Sequence, residues 1–172
     1  MTLRIFLVIM ICVLLAIAES ILPFLVHLRV ARVDLLLVVV LYLALHDDVM
    51  EGAALSAVAG YLSDLTSATP AFLYTFLAVL TFTVLRMVGS GLKTEGGAQS
   101  AVVAFGTSVA HAVLATVVFG FFTGAGIHLQ VWAIFWSALG TGLLAPLVFA
   151  VLRRLDSGFF NAEVNAGPRG IR

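Results

Sequence analysis

This chain is dominated by a series of apolar blocks on the scale of a lipid bilayer. Of its 172 residues, 62% are hydrophobic and only 10% are charged. A hydrocarbon core about 30 Å thick needs about 20 apolar residues of helix, because each residue rises about 1.5 Å. The blocks lie at 3–24, 35–45, 52–65, 72–88, 101–122 and 129–152, and the second and third are short. We therefore predict an all-α protein, a polytopic membrane helical bundle.

Little sequence is left for a soluble domain. The longest polar stretch follows Arg153 and is too small to bury a core. We predict one transmembrane domain over residues 1–155 and a short, poorly ordered cytoplasmic tail over 156–172. The net charge is zero and the few basic residues form no patch with interleaved aromatic residues, so the composition argues against nucleic-acid binding.

The segment 34–65 determines how many times the chain crosses. As one helix it would be roughly 48 Å long, too long for a single span. Its centre holds His46, Asp47, Asp48 and Glu51, and carboxylates clustered at mid-bilayer would be very costly. We therefore predict a helical hairpin with a solvated turn at 46–51, an N-cap at Asp34 and a capping box that begins at Asp48. The chain then has six transmembrane helices.

Basic residues predict the orientation. Six crossings place both termini on one side, and with that side cytoplasmic every Lys and Arg except Arg29 and Arg32 lies inside. A five-helix model with an external N-terminus would misplace only Arg4, so charge alone leaves the count open and the hairpin decides it. The first block also resembles a secretory signal, but its apolar character resumes after Glu19, which favours an uncleaved span.

Three of the predicted helices carry small residues at four-residue spacing, the pattern that lets membrane helices approach closely. The ridges are Gly52, Ser56 and Gly60 on the third helix, Ala104, Ser108, Ala112, Thr116, Gly120 and Gly124 on the fifth, and Ala133, Ser137, Thr141 and Ala145 on the sixth. Packing within the bundle is the simpler interpretation. The alternative is that one ridge faces another membrane protein, and Gly60 is then the first candidate for that contact.

Polar residues inside the apolar blocks are the other candidates for function. The topology places Glu19 and Asp64 near the outer ends of their helices, level with Arg29 and Arg32. We expect ion pairs there, and a partner or ligand role is the alternative. His111 lies near the middle of the fifth helix, where a hydrogen bond to a neighbouring helix is favoured over a proton or ligand site.

The sequence lacks the motifs that announce chemistry. It has no paired-histidine helix for a metal, no nucleophile elbow and no phosphate-binding glycine loop. We therefore predict no catalytic, cofactor-binding or metal-binding residues, and no enzymatic activity.

The segment from Arg32 to Asp64 resembles the MreD family of rod-shape-determining membrane proteins. Arg32 and Asp34 begin the second helix, and Gly52, Gly60 and Asp64 follow at fitting spacing. Val33 replaces an expected proline, and Pro70-Ala71 stands near an expected glycine. Together with Ser56, the matching residues form a candidate partner interface or structural motif.

The resemblance implies a noncatalytic scaffold of the cell-elongation machinery in the bacterial cytoplasmic membrane. Its expected partners are an MreC-like bitopic protein and, through it, a RodA-like polymerase, a class B penicillin-binding protein and MreB. The family is similar in fold to the S-components of energy-coupling-factor transporters. That similarity gives the alternative function, a substrate-binding subunit of an ATP-driven vitamin transporter. Such a subunit needs a polar cluster around an outer cavity, and the sparse polar residues of the loops favour the scaffold.

Overall fold

The computed structural model describes residues 2–26, 33–67, 72–89, 96–124 and 130–165. These residues form six helices and no strand. The helices are α1 (Thr2–Val26), α2 (Leu35–His46), α3 (Val49–Thr66), α4 (Leu73–Val88), α5 (Gly97–Thr123) and α6 (Val131–Asn165). The all-α prediction and the order of the six helices are confirmed. One difference is that α6 runs past Leu152, so residues 156–165 of the expected tail are helical.

Three helices, α1, α5 and α6, are long and apolar enough to cross a membrane. Helices α2 and α4 are apolar but shorter. At about 1.5 Å per residue, the 12 residues of α2 cover only about 18 Å, well short of a hydrocarbon core of about 30 Å. A separate physical reason is needed for so short an apolar helix.

That reason is the central position of α2. Every residue from Leu35 to Ala44 is buried, and α2 contacts each of the other five helices. A helix that is apolar on all sides is stable only when other helices surround it. Because α2 meets protein on every side, its length is not matched to the bilayer, and its two ends lie within polar surroundings built by other helices.

The small residues on α3 and α6 are used inside the bundle. A Cβ atom placed on Gly60 would lie 2.6 Å from Thr75 Cα and 2.7 Å from the Tyr74 carbonyl oxygen, both backbone atoms of α4. On α6, a Cβ on Gly142 would lie 3.1 Å from the Ala101 carbonyl oxygen of α5. Thr141 is fully buried. Close backbone approach therefore fixes the α3–α4 and α5–α6 pairs.

Candidate functional site: two polar clusters at the ends of α2

The C-terminal end of α2 lies beside a group of charges that we call the Arg4 cluster: Arg4, Asp47, Glu51 and Asp156. The Arg4 guanidinium, at the start of α1, contacts Asp47 Oδ1 at 2.5 Å, Asp156 Oδ1 at 2.9 Å and Glu51 Oε1 at 3.2 Å. One cation thus joins α1, the α2–α3 turn, α3 and α6. A planar guanidinium with five donors suits this role, because it can meet several carboxylates at once.

Asp47 is the most enclosed member of the Arg4 cluster. Its side chain is 0% exposed, and its Oδ2 atom has no hydrogen-bond partner among the described residues. Burial raises the pKa of the Asp47 carboxyl, and the Arg4 guanidinium opposes that rise. An ionised Asp47 therefore depends on Arg4.

The prediction of a solvated turn at 46–51 is wrong for Asp47, which is buried and bound by Arg4 from the N-terminal part of α1. The predicted capping box is also wrong. Asp48 occupies the N-cap position of α3 but makes no side-chain capping bond, and Glu51 accepts a hydrogen bond from Arg4 instead.

Two further side chains complete this end of α2. Arg86 of α4 donates to the carbonyl oxygens of Ala44 at 3.2 Å and Asp47 at 2.7 Å. The Tyr42 hydroxyl donates to Asp156 Oδ2 at 2.5 Å. The last carbonyls of a helix have no partners within it, and positive charge is favourable there. Arg86 therefore meets both requirements of the α2 C-terminus.

The N-terminal end of α2 is held by carboxylates. Asp34 Oδ1 accepts from the Leu37 N–H at 3.2 Å, which confirms the predicted N-cap. Glu19 of α1, 7% exposed, accepts from the Leu36 N–H at 2.8 Å through its Oε1 atom. Negative groups at a helix N-terminus satisfy free N–H donors and complement the helix dipole. The Glu19 carboxylate thus bonds to the neighbouring helix.

Beside this end lies a cavity of about 220 Å³, which we call the Asp34 cavity. Its described lining residues come from all six helices or their caps: Glu19, Asp34, Ser63, Tyr74, Ser108, His111, Ala112, Ala115, Thr116 and Ser137. Most of them are polar. Such a lining is unusual in an apolar bundle, where polar groups are costly unless they are paired or solvated.

His111 stands between the Asp34 cavity and α4. Its Nδ1 atom lies 3.1 Å from Thr81 Oγ1, within hydrogen-bond distance, so the imidazole does contact a neighbouring helix. Its Nε2 atom lies 4.0 Å from Asp34 Oδ2, which is too long for a hydrogen bond. The ring is therefore oriented by Thr81, and its other nitrogen is directed toward Asp34.

Asp64 caps a different helix. Its carboxylate accepts from the N–H groups of Tyr74 at 2.8 Å and Thr75 at 3.0 Å, and from the Thr75 hydroxyl at 2.6 Å. The last residue of the α3 motif thus binds the first turn of α4. The partners expected for Asp64 and Glu19, Arg29 and Arg32, lie outside the described residues.

The remaining motif residues lie within the bundle. A Cβ on Gly52 would lie 2.6 Å from the Phe82 ring, and Gly60 packs directly on the α4 backbone. Ser56 is fully buried, and its hydroxyl has no hydrogen-bond partner among the described residues. These positions are packing positions, and no partner reaches Gly60 unless α3 and α4 separate.

Sequence reasoning missed the Arg4 cluster. From the sequence, Arg4 was interpreted only as a cytoplasmic positive charge that orients the chain. A lone cation in an apolar block nevertheless predicts a nearby carboxylate. That rule points to the need for a partner and does not identify Asp47 or Asp156, which are 43 and 152 residues away. Within the described ranges, no group of three or more His, Cys, Asp and Glu side chains is arranged to hold a metal ion.

An all-helical bundle with long apolar helices, a buried central helix and polar clusters at both of its ends defines this chain as an integral membrane protein. A family model, the rod shape-determining protein MreD, matches residues 1–155. The chain belongs to the MreD family, as the resemblance over residues 32–64 indicated. Comparison with curated proteins and with solved structures found no match.

Proposed function

We propose that this protein is a noncatalytic scaffold of the bacterial cell-elongation machinery, which supports peptidoglycan synthesis by binding an MreC-like single-span partner through a helix face. A RodA-like polymerase, a class B penicillin-binding protein and MreB would be reached through that partner. Family membership supports the role in cell shape. The observation that carries the docking proposal is an open groove between α4 and α5.

The α4–α5 groove has a volume of about 440 Å³ and an almost wholly apolar wall. Its floor includes Gly106 and Ala110, which are small residues at four-residue spacing on α5. A Cβ placed on Gly106 would meet nothing within 4 Å. Gly60 and Gly142, by contrast, are closed by neighbouring backbone.

An open small-residue pair in an apolar groove is what a transmembrane helix needs for close approach. The ridges identified in the sequence did not include Gly106, because it lies beside the predicted α5 ridge rather than on it. The docking face we propose is therefore the α4–α5 groove and not the α3 ridge.

We also propose six crossings with both termini cytoplasmic. The Arg4 cluster supports this topology, because it brings the start of α1, the α2–α3 turn and residue 156 of α6 to one level. A turn on the same side as both ends is the arrangement that six crossings require.

The docking proposal is tested by replacing each of two glycines, in separate variants, with leucine. Gly106→Leu fills the open groove, so we expect normal membrane abundance, loss of co-purification with an MreC-like partner, and loss of rod shape. Gly60→Leu is the matched control, and we expect it to lower abundance because its Cβ would overlap α4 backbone. Normal partner binding by an abundant Gly106→Leu protein would contradict docking in this groove.

The topology is tested by cysteine labelling in a Cys12→Ala background. Met50 is 87% exposed and lies in the first turn of α3. Met50→Cys is expected to react only with thiol reagent that has access to the cytoplasmic side of the membrane. Thr123 is the last residue of α5, which the proposed topology places on the outer side of the membrane. Thr123→Cys is therefore expected to react only with reagent added on the outer side. Labelling of both positions from the same side would contradict six crossings.

The alternative function, a substrate-binding subunit of an ATP-driven vitamin transporter, is favoured by one observation, the polar Asp34 cavity. It predicts submicromolar vitamin binding by the purified protein and uptake that depends on a separate ATPase. The scaffold proposal predicts neither.

A further inference from the structure

The apolar surface of the bundle is tall on the side formed by α5 and α6. Exposed apolar side chains extend from Val102 to Phe122 on α5 and from Val131 to Val151 on α6. The two residues of each pair are 20 positions apart in the sequence, which corresponds to about 30 Å of helix. The α5–α6 side is therefore matched to a hydrocarbon core of ordinary thickness.

The apolar surface is lower on the α3–α4 face, by which we mean the exposed side chains of α3 and α4. They extend from Phe72, the N-cap of α4, to Val88, and on α3 from Met50 to Leu65. These pairs are 16 and 15 positions apart, which corresponds to about 24 Å and 22 Å. The α3–α4 face is thus about 6 to 8 Å lower than the α5–α6 side.

Polar contacts at the two ends of α4 agree with this low height. The Asp64 carboxylate binds the Thr75 N–H in the first turn of α4, and Arg86 in its last turn donates to the Asp47 carbonyl oxygen. Thr75 and Arg86 are 11 positions apart, about 17 Å of helix. Because charged groups are costly deep in hydrocarbon, these two levels limit the thickness of hydrocarbon that fits beside α4.

The α3–α4 pair has little freedom to adapt to a thicker bilayer. A long helix can tilt to fit a thin bilayer, whereas a short helix cannot lengthen, so the bilayer thins around it or another protein covers it. Close approach of a second helix requires small residues. The exposed face of α4 carries large side chains instead, among them Phe72, Phe76 and Met87. Lipid is therefore the better occupant of this face.

We propose that the α3–α4 face binds phospholipids with short acyl chains and holds the bilayer locally thin, while the α5–α6 side contacts bilayer of ordinary thickness. The proposal rests on the six crossings proposed above. It does not depend on partner docking, because the lipid-facing side chains of α4, such as Phe76, lie outside the α4–α5 groove.

The test uses the full-length protein in lipid vesicles, with a single tryptophan that reports the lipids beside it. In a background of Trp132→Phe and Trp136→Phe, Phe76→Trp places the reporter on α4 and Leu143→Trp places it on α6. The native side chains at these positions are 57% and 71% exposed. Each substitution exchanges one large apolar side chain for another on the surface, so we expect both variants to fold.

The measurement is quenching of tryptophan fluorescence by brominated phosphatidylcholines with chains of fourteen, eighteen or twenty-two carbons. At position 76 we expect the fourteen-carbon lipid to bind about twofold more tightly than the eighteen-carbon lipid, and the twenty-two-carbon lipid to bind most weakly. The preference is modest because each ångström of mismatch costs only a fraction of a kilocalorie per mole. At position 143, the matched control, the eighteen-carbon lipid should bind at least as tightly as the fourteen-carbon lipid.

Three results would overturn the proposal. The first is the same order of preference at both positions, which would mean that the bundle has one thickness. The second is quenching at position 76 that does not depend on chain length, which would leave the six crossings intact. The third is no quenching at position 76 by any of the lipids. The labelling of Met50→Cys and Thr123→Cys would then show whether the six crossings fail together with the thin face.

Discussion

The two ends of α2 solve the same problem in different ways. Both ends satisfy free backbone groups and complement the helix dipole, with Asp34 and Glu19 at the N-terminus and Arg86 at the C-terminus. At the C-terminal end, Arg4 meets three carboxylates at 3.2 Å or less. At the N-terminal end, the nearest approach of His111 Nε2 to Asp34 is 4.0 Å, beside a cavity.

The difference lies in how closely the polar side chains of each end meet. At the Arg4 cluster the chain supplies its own cation, so the side chains close on one another and join four segments. At the Asp34 cavity, no Lys or Arg is found among the described lining residues, and space is left between the acceptors. The Arg4 cluster therefore acts in folding, whereas the N-terminal end of α2 keeps a cavity between its polar side chains.

The largest effect is expected where the closed end is broken. Arg4→Met keeps a long side chain but leaves Asp47, Glu51 and Asp156 without their cation. We expect a loss of about 3 kcal/mol in the free energy of unfolding, at the low end for buried pairs because the Arg4 side chain is 26% exposed. Membrane abundance and thermal unfolding in detergent measure it.

The control for this prediction is the double variant Arg4→Met with Asp47→Asn. Because an uncompensated buried charge costs more than the loss of a pair, the double variant should be more stable than Arg4→Met alone. A double variant that is less stable would show that the Arg4 cluster does not act as a charge pair.

A smaller effect is expected at Arg86, which bonds to backbone at the same end of α2. Arg86→Met removes a charged donor from two carbonyl oxygens, and we expect a loss of about 1.5 kcal/mol. Hydrogen exchange of the amides in the last turn of α2 provides the measurement. Faster amide exchange in the last turn of α2, with exchange in its first turn unchanged, would show that Arg86 stabilises only the C-terminal end. Equally faster exchange along the whole helix would contradict a local cap.

The smallest effect is expected at the open end. Asp34→Ala removes the N-cap of α2 and should cost about 1 kcal/mol, while Asp34→Asn should cost only a few tenths. Thermal unfolding of both variants in detergent gives the comparison. Equal losses would mean that the charge of Asp34, rather than its capping bond, stabilises the fold.

Much of the fold was predictable, because it depends on local properties. Hydropathy located the helices, and the acidic sequence at 47–51 located the turn between α2 and α3. Asp34 was predictable as a cap, since capping depends on residues three positions apart. The absence of a capping bond from Asp48 was not predictable from the sequence. Glu51, the other residue of the expected capping box, is bound by Arg4 from α1.

The candidate site was predictable only in part. Glu19, Asp34 and His111 stood out as polar residues in apolar surroundings, but nothing in the sequence brings them to one cavity. Small residues at regular spacing predicted close helix packing and could not distinguish Gly60, which is closed by α4, from Gly106, which is open. That distinction depends on which faces of α3, α4 and α5 meet.

The sequence by itself determined that this is a helical membrane protein of the MreD family, with six helices and a capped α2, since apolar length and capping act over neighbouring residues. Only the tertiary structure decided that α2 is central, that Arg4 binds Asp156 across 152 positions of sequence, and that one end of α2 is closed while the other has a cavity. Those features depend on how the helices pack, and packing brings together side chains whose distance along the chain carries no information about their distance in space.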